Sequence, residues 1–226
     1  MVVHGGYWRA RYDRSLMTEL CLDLAARGIA AWNLEYRRVG AGGGWPQTFD
    51  DVAAGVDALA QLDAPLDLER VVAVGHSAGG HLAFWAAARP TLPPDAPGAR
   101  PQVRIRAAVS QAGVLDLGLA SILPPSDEPT RALLGAPQWN TERYAIASPR
   151  ERVPFGIPQL VLHGDRDDLV SPRIAESYAR AAVSAGDACE LVLLPGTGHF
   201  EHLDPRSEAW ATAGEWLVPY AIAARS

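Results

Sequence analysis

At 226 residues, 48% hydrophobic and 20% charged, the chain is long enough to bury a full core as one soluble globular domain. A formal charge of -6 argues against nucleic acid or an anionic membrane as partner, because either needs a basic face. Every cationic side chain is arginine, so P-loop, Schiff-base and Ser-Lys chemistry all lack their amine.

In chain order, an apolar stub leads into His4-Gly5-Gly6 within MVVHGGYW, glycines that a frayed terminus would not require. SLMTELCLDLAARG predicts a helix ending at Gly28, IAAWNLEY (29–36) a strand, and TFDDVAAGVDALAQL a helix capped by Thr48. RVVAVG (70–75) reads as a buried strand followed by an Ala-rich helix, and VRIRAAVSQ (103–111) as a further strand. The Pro/Gly-rich stretches at 89–101 and 113–129 predict loops or cap material, with a small cap or insertion expected around 113–157. QLVLHG (159–164) and CELVLLP (189–195) are strands flanking PRIAESYARAAVSAG, a helix with Pro172 first and Gly186 last, and DPRSEAWATAGEWLVPYAIAA closes the chain as a helix. Short apolar runs alternating with amphipathic ones predict an α/β fold, a mostly parallel sheet with helices on both faces, in one domain over 1–226. Cys21 and Cys189 read as core thiols. No apolar run approaches ~18 residues and no basic leader precedes one, so the cytoplasm is the expected compartment and no membrane contact is expected.

The chemistry begins at VVAVGHSAGGHLAFWAAA. Gly75-His76-Ser77-Ala78-Gly79 has the G-x-S-x-G spacing, weak alone but here set between a buried strand and a helix. That context puts Ser77 on a strained turn with its hydroxyl exposed as a nucleophile. A serine nucleophile needs a base and a group that orients the base. Loops after the strands at 159–164 and 189–195 offer both: Asp165, Asp167 or Asp168 as the acid, and His199 as the base, with His202 as a rival three residues deeper. A tetrahedral intermediate also needs amide donors, and the Ala78 N–H with those of Gly6 and Tyr7 would supply them, which explains the early glycines. His4, His76, His81 and His163 read as hydrogen-bonding residues around turns rather than metal ligands. Trp8, Trp45, Trp139 and Phe200 fall in loops near this set and are expected to line a substrate pocket, as Tyr7 could.

Together these residues resemble the α/β-hydrolase superfamily, and within it the HGG-type branch of carboxylesterases, acetyl-esterase-like enzymes and kynurenine formamidases. HGGYW (4–8) resembles the formamidase-like members, GHSAGGHLA (75–83) the family elbow, and EYRRVGAGGGWPQTFDDV (35–52) its Tyr-Arg segment. HGDRDDLVSP (163–172) fits the family's HG-x-x-D-x-x-V, and that spacing selects Asp167. The resemblance implies an α/β-hydrolase fold and a cofactor-independent, metal-free serine hydrolase acting through an acyl-enzyme on a small carboxylic ester or aryl formamide. A serine peptidase-like hydrolase and a catalytically inactive binding protein of the same fold are the alternatives. Family members carry two strands before the HGG strand, whereas this chain starts inside it. The expectation is a sheet of about six strands whose segment 29–36 is an exposed edge, open to homo-oligomer formation.

Overall fold

The computed structural model describes residues 1–136 and 141–222. Six strands form one sheet: β1 (Val2–Val3), β2 (Asn33–Leu34), β3 (Val72–His76), β4 (Ala107–Gln111), β5 (Gln159–Gly164) and β6 (Cys189–Leu194). Their order is β2-β1-β3-β4-β5-β6 and every pairing is parallel. The helices are α1 (Thr18–Ala26), α2 (Gln47–Asp57), α3 (Ala78–Ala88), α4 (Leu117–Ala120), α5 (Asp127–Leu134), α6 (Thr141–Ala147), α7 (Pro172–Ser184) and α8 (Glu208–Ala221). The segment between β4 and β5, which holds α4, α5 and α6, corresponds to the expected cap.

Alternation along the strands sorts the core into two layers. Val2, Val72, Val74, Val109 and Leu160 face α1 and α8, meeting Met17, Leu20, Trp210 and Leu217. Val3, Ala73, Ala108 and Val161 face the other side, against Phe49, Leu82, Phe84 and Tyr178 of α2, α3 and α7. Side chains two apart share a face of a strand, so these two sets are what a sheet covered on both sides requires. Helix α3 is buried along its whole length, which is why its sequence is apolar all round rather than striped.

The connections from β1 run outward to β2, while β3 continues the sheet in the opposite direction. The loops after β1 and β3 therefore leave neighbouring strand ends at the point where the connections change direction, the place where sites form in such sheets. Both the His-Gly-Gly loop and Ser77 lie there.

Several expected elements differ, among them the strand read at 103–111, which is observed only as Ala107–Gln111. The strand read at 29–36 is reduced to the two residues of β2, because its partner β1 offers only Val2 and Val3 to pair with, Val2 N–H reaching Trp32 O at 2.8 Å. Thr48 is not the helix cap; it lies inside α2, where its hydroxyl donates to Arg37 O at 2.6 Å and accepts from the Gly44 N–H. Pro46 occupies the cap position instead.

Candidate active site

Ser77 sits between β3 and α3 with φ 55° and ψ -122°, a conformation that costs a non-glycine residue about 1–3 kcal/mol and persists only where the surroundings enforce it. The turn is enforced by contact. A Cβ on Gly75 would lie 2.1 Å from Gly79 O, and one on Gly79 would lie 2.1 Å from Val3 O, so only glycine lets β3, the helix start and β1 converge. The Ser77 N–H donates to Gln111 O of β4 at 2.8 Å, which anchors the turn to the next strand.

The His-Gly-Gly loop lies directly against this turn. A Cβ on Gly5 would stand 2.7 Å from His76 O and 3.0 Å from Ser77 Cβ. Beyond it the chain passes through three residues of positive φ, Gly6, Tyr7 and Trp8. Backbone bonds within and from this loop include Arg9 N–H to Gly6 O at 3.0 Å and Val39 N–H to Trp8 O at 2.8 Å, and the Gly6 and Tyr7 N–H groups take no part in them.

Of the three aspartates after β5, Asp167 meets the histidine. His199 Nδ1–H donates to Asp167 Oδ2 at 2.7 Å, and His163 Nε2 lies 3.2 Å from the same oxygen while donating to Val170 O. The other carboxylate oxygen accepts from the Leu169 and Val170 N–H groups at 2.9 and 2.8 Å. Burial opposes ionisation of Asp167, but the hydrogen bonds from His163 and His199, the His199 charge and the Val170 N–H outweigh it and hold the carboxyl below its usual range. Asp165 is exposed and braces the neighbouring loop, accepting from the Gly196 N–H at 2.7 Å.

His199 is itself tethered to the elbow. His76 Nε2–H donates to His199 O at 2.8 Å, and the two rings lie 4.7 Å apart. The hydrogen bond given for the His199 ring is the one from Nδ1 to Asp167, which leaves Nε2 as the ring nitrogen for proton transfer. The rival His202 is fully buried with neither ring nitrogen hydrogen-bonded, and burial, followed by the nearby His163 and His199, lowers its pKa to about 3. A base with no orienting partner is poorly placed for proton transfer. Burial also pushes His76 well below its ordinary value, with the charges of His199 and His202 adding to the effect.

The aromatic residues divide. Trp8 does not line a pocket: it is fully buried, its positive φ turning the indole inward so that Nε1–H donates to His81 Nδ1 at 3.2 Å. Trp45 is half-buried and packs edge-on against Phe49. Phe200 is 61% exposed with its ring 5.3 Å from that of His199, so it is available to a ligand. Trp139 lies outside the described residues. Sequence reading missed Ser126, Leu169 and Glu35 around this site. Glu35 alone carried a signal, its place in the Tyr-Arg segment beside the residue that bonds His4 O. Two cavities of about 500 Å³, along α7 and beside Met1 and Trp32, are not lined by Ser77 or His199. Among the described residues no cluster of His, Cys, Asp or Glu is arranged to hold a metal ion, and no helix is long and apolar enough to cross a membrane.

Comparison with known proteins agrees with this architecture. The family model BD-FAE matches residues 1–181. The probable carboxylic ester hydrolase LipM of Mycobacterium tuberculosis is 31% identical over 187 residues, 78% of this chain, and the chain spans only 42% of that protein. The propionate-bound esterase Est2 of Thermogutta terrifontis superposes with a TM-score of 0.74 at 23% identity, over 99% of this chain and 84% of its own. An inhibited esterase B from Lactobacillus rhamnosis gives a TM-score of 0.82 at 21% identity, over 97% of this chain and 74% of its own.

Proposed function

The chain belongs to the BD-FAE family of the α/β-hydrolase superfamily, and from that premise we propose that it is a serine esterase whose nucleophile is Ser77, whose base is His199 and whose orienting acid is Asp167. One observation carries the reading: a fully engaged carboxylate holds the His199 ring by its Nδ1, and His76 ties that histidine to the elbow that carries Ser77.

In the proposed reaction Ser77 Oγ attacks the ester carbonyl carbon while its proton passes to His199 Nε2. Asp167, kept ionised by its three hydrogen-bond donors, stabilises the imidazolium that forms. The carbonyl oxygen becomes an oxyanion facing the N–H groups of Gly6, Tyr7 and Ala78, where the first turn of α3 adds a favourable dipole. Collapse expels the alcohol, protonated by His199, and leaves an acyl-Ser77 ester. Water, deprotonated by the same histidine, attacks that ester and regenerates the enzyme.

A short acyl group is the proposed substrate feature, supported by the propionate held by the structurally similar Est2. The form HGGYW favours a second bond type, the formamide of an arylamine. The unpaired Cys21 and Cys189 support a reducing compartment, the cytoplasm, as the setting. The test is a panel of p-nitrophenyl acetate, propionate, butyrate and octanoate beside N-formyl arylamines, run with the wild type and Ser77→Ala. Turnover of short esters that vanishes in the variant supports the proposal. Hydrolysis confined to formamides would move the leaving group to an amine, and no Ser77-dependent turnover of either class would leave a binding protein.

A further inference from the structure

The acid loop is gripped from outside by two side-chain hydroxyls, that of Ser126 and that of Tyr7, a residue whose backbone N–H is a proposed oxyanion donor. Tyr7 Oη–H donates to the Leu169 carbonyl, and Ser126 Oγ donates to the same oxygen at 3.1 Å. The two hydroxyls lie 3.5 Å apart. Leu169 is thus fastened at both ends of its residue, since its N–H donates to Asp167 Oδ1 at 2.9 Å. Three segments distant in sequence converge on this carbonyl: the loop after β1, the cap just before α5, and the loop after β5.

Tyr7 holds a conformation that needs a reason. Its φ of 50° is unfavourable for an aromatic residue, and it follows Gly6, whose missing side chain leaves room for the Tyr12 ring; a Cβ there would come within 2.5 Å of it. The strained turn sends the phenol of Tyr7 across to the acid loop.

We infer that Tyr7 is a positioning residue, whose hydroxyl, with that of Ser126, latches the Leu169 carbonyl and so holds Asp167 in register with His199. The latch links the oxyanion loop, the acid loop and the cap, so displacement of the cap at Ser126 is felt at the catalytic carboxylate. Either hydroxyl alone retains one donor on Leu169 O, and removing both leaves that carbonyl ungripped.

The inference rests on the proposed serine-esterase reading, and the experiment separates the two. Hydrolysis of p-nitrophenyl acetate is measured for the wild type, Tyr7→Phe, Ser126→Ala, the double variant, and Tyr7→Phe in an Asp167→Asn background. Tyr7→Phe is expected to lower kcat roughly 5- to 10-fold with KM changed less than about 2-fold, the size of one lost hydrogen bond. Ser126→Ala is expected to lose less, and the double variant more than the product of the two. In the Asp167→Asn background Tyr7→Phe should cost nothing further, because its effect passes through that carboxylate. An undiminished kcat in Tyr7→Phe, a loss expressed in KM, or an equal loss in the Asp167→Asn background would each overturn the latch. If Tyr7→Phe does not fold, Ser126→Ala carries the same comparison. Absence of Ser77-dependent hydrolysis in the wild type would instead sink the catalytic reading.

Discussion

The two halves of the sheet are held together differently. From β3 to β6 the strands run five or six residues and pair along their length, so backbone ladders fix the elbow, the acid loop and the histidine loop relative to one another. On the other side β1 and β2 pair through two residues each, and the oxyanion loop is kept in place mostly by side chains. Tyr36 Oη grips His4 O at 2.9 Å while its ring stacks on His4 at 4.3 Å, and Trp8 bonds His81. A ladder tolerates single substitutions because neighbouring bonds persist; a side-chain staple does not. The proposed nucleophile, base and acid therefore rest on a robust frame and the proposed oxyanion donors on a fragile one.

The largest effect expected lies in the robust half. Asp167→Asn should lower kcat by roughly 10³- to 10⁴-fold, since the amide cannot hold the required tautomer, while Asp165→Asn, which touches only the Gly196 N–H, should cost less than about 5-fold. Both variants should fold, as far-UV dichroism and Tm would record. Equal losses would mean that the two carboxylates share the role.

Next in size is a change in the fragile half. Gly5→Ala puts a methyl against His76 O and Ser77 Cβ, and should reduce kcat by about 10²-fold through misplaced oxyanion donors. Gly28→Ala is the control: it has positive φ but open space, so it should lower Tm by a few degrees and leave kcat alone. If Gly5→Ala lost stability in proportion to activity, the loop would be structural and not catalytic.

Acid should weaken the join between the halves. Burial lowers the pKa of His81 to about 4, and burial with neighbouring histidine charge lowers that of His202 to about 3. Each is neutral in the fold but takes a proton near pH 6.5 when unfolded, so its contribution is complete above pH 6.5 and is lost as pH falls toward the folded value. Each proton steepens the loss by about 1.4 kcal/mol per pH unit. Denaturant melts between pH 5 and 7 should show this slope, and His81→Gln, whose amide can still accept from Trp8 and donate to Ala147 O, should flatten it by about one proton. An unchanged slope would mean that His81 is not neutral in the fold.

The smallest effect concerns the outer edge. We propose that β2, paired on one side only, associates with the β2 of a second copy, next to an apolar cavity lined by Ile29, Trp32 and Leu62. Sedimentation should detect a weak, concentration-dependent dimer that Ala31→Lys abolishes. A strict monomer at high concentration would remove the proposal.

What could be read from sequence follows the same division. The strand 159–164 is observed with the bounds its apolar run indicates, and Ser77, Asp167 and His199 stand at the strand ends where their motifs put them, because local pattern and tertiary pairing agree there. Near β1 and β2 they disagree. IAAWNLEY has a strand's composition, yet its partner β1 is two residues long, and pattern within the segment carries no trace of how much partner it will find. The inward turn of Trp8 and the meeting of Ser126 with Leu169, 43 residues apart, were equally invisible, since both depend on positive φ or on cap placement rather than on periodicity.

The most direct test is covalent capture of the nucleophile. Incubation with a p-nitrophenyl alkylphosphonate, followed by intact-mass and peptide mass spectrometry, should give one adduct per chain, on Ser77, with loss of esterase activity in step with labelling. Labelling should slow by at least about 10²-fold in Asp167→Asn and vanish in Ser77→Ala. An adduct on another residue, or ester hydrolysis that survives complete labelling of Ser77, would contradict the account.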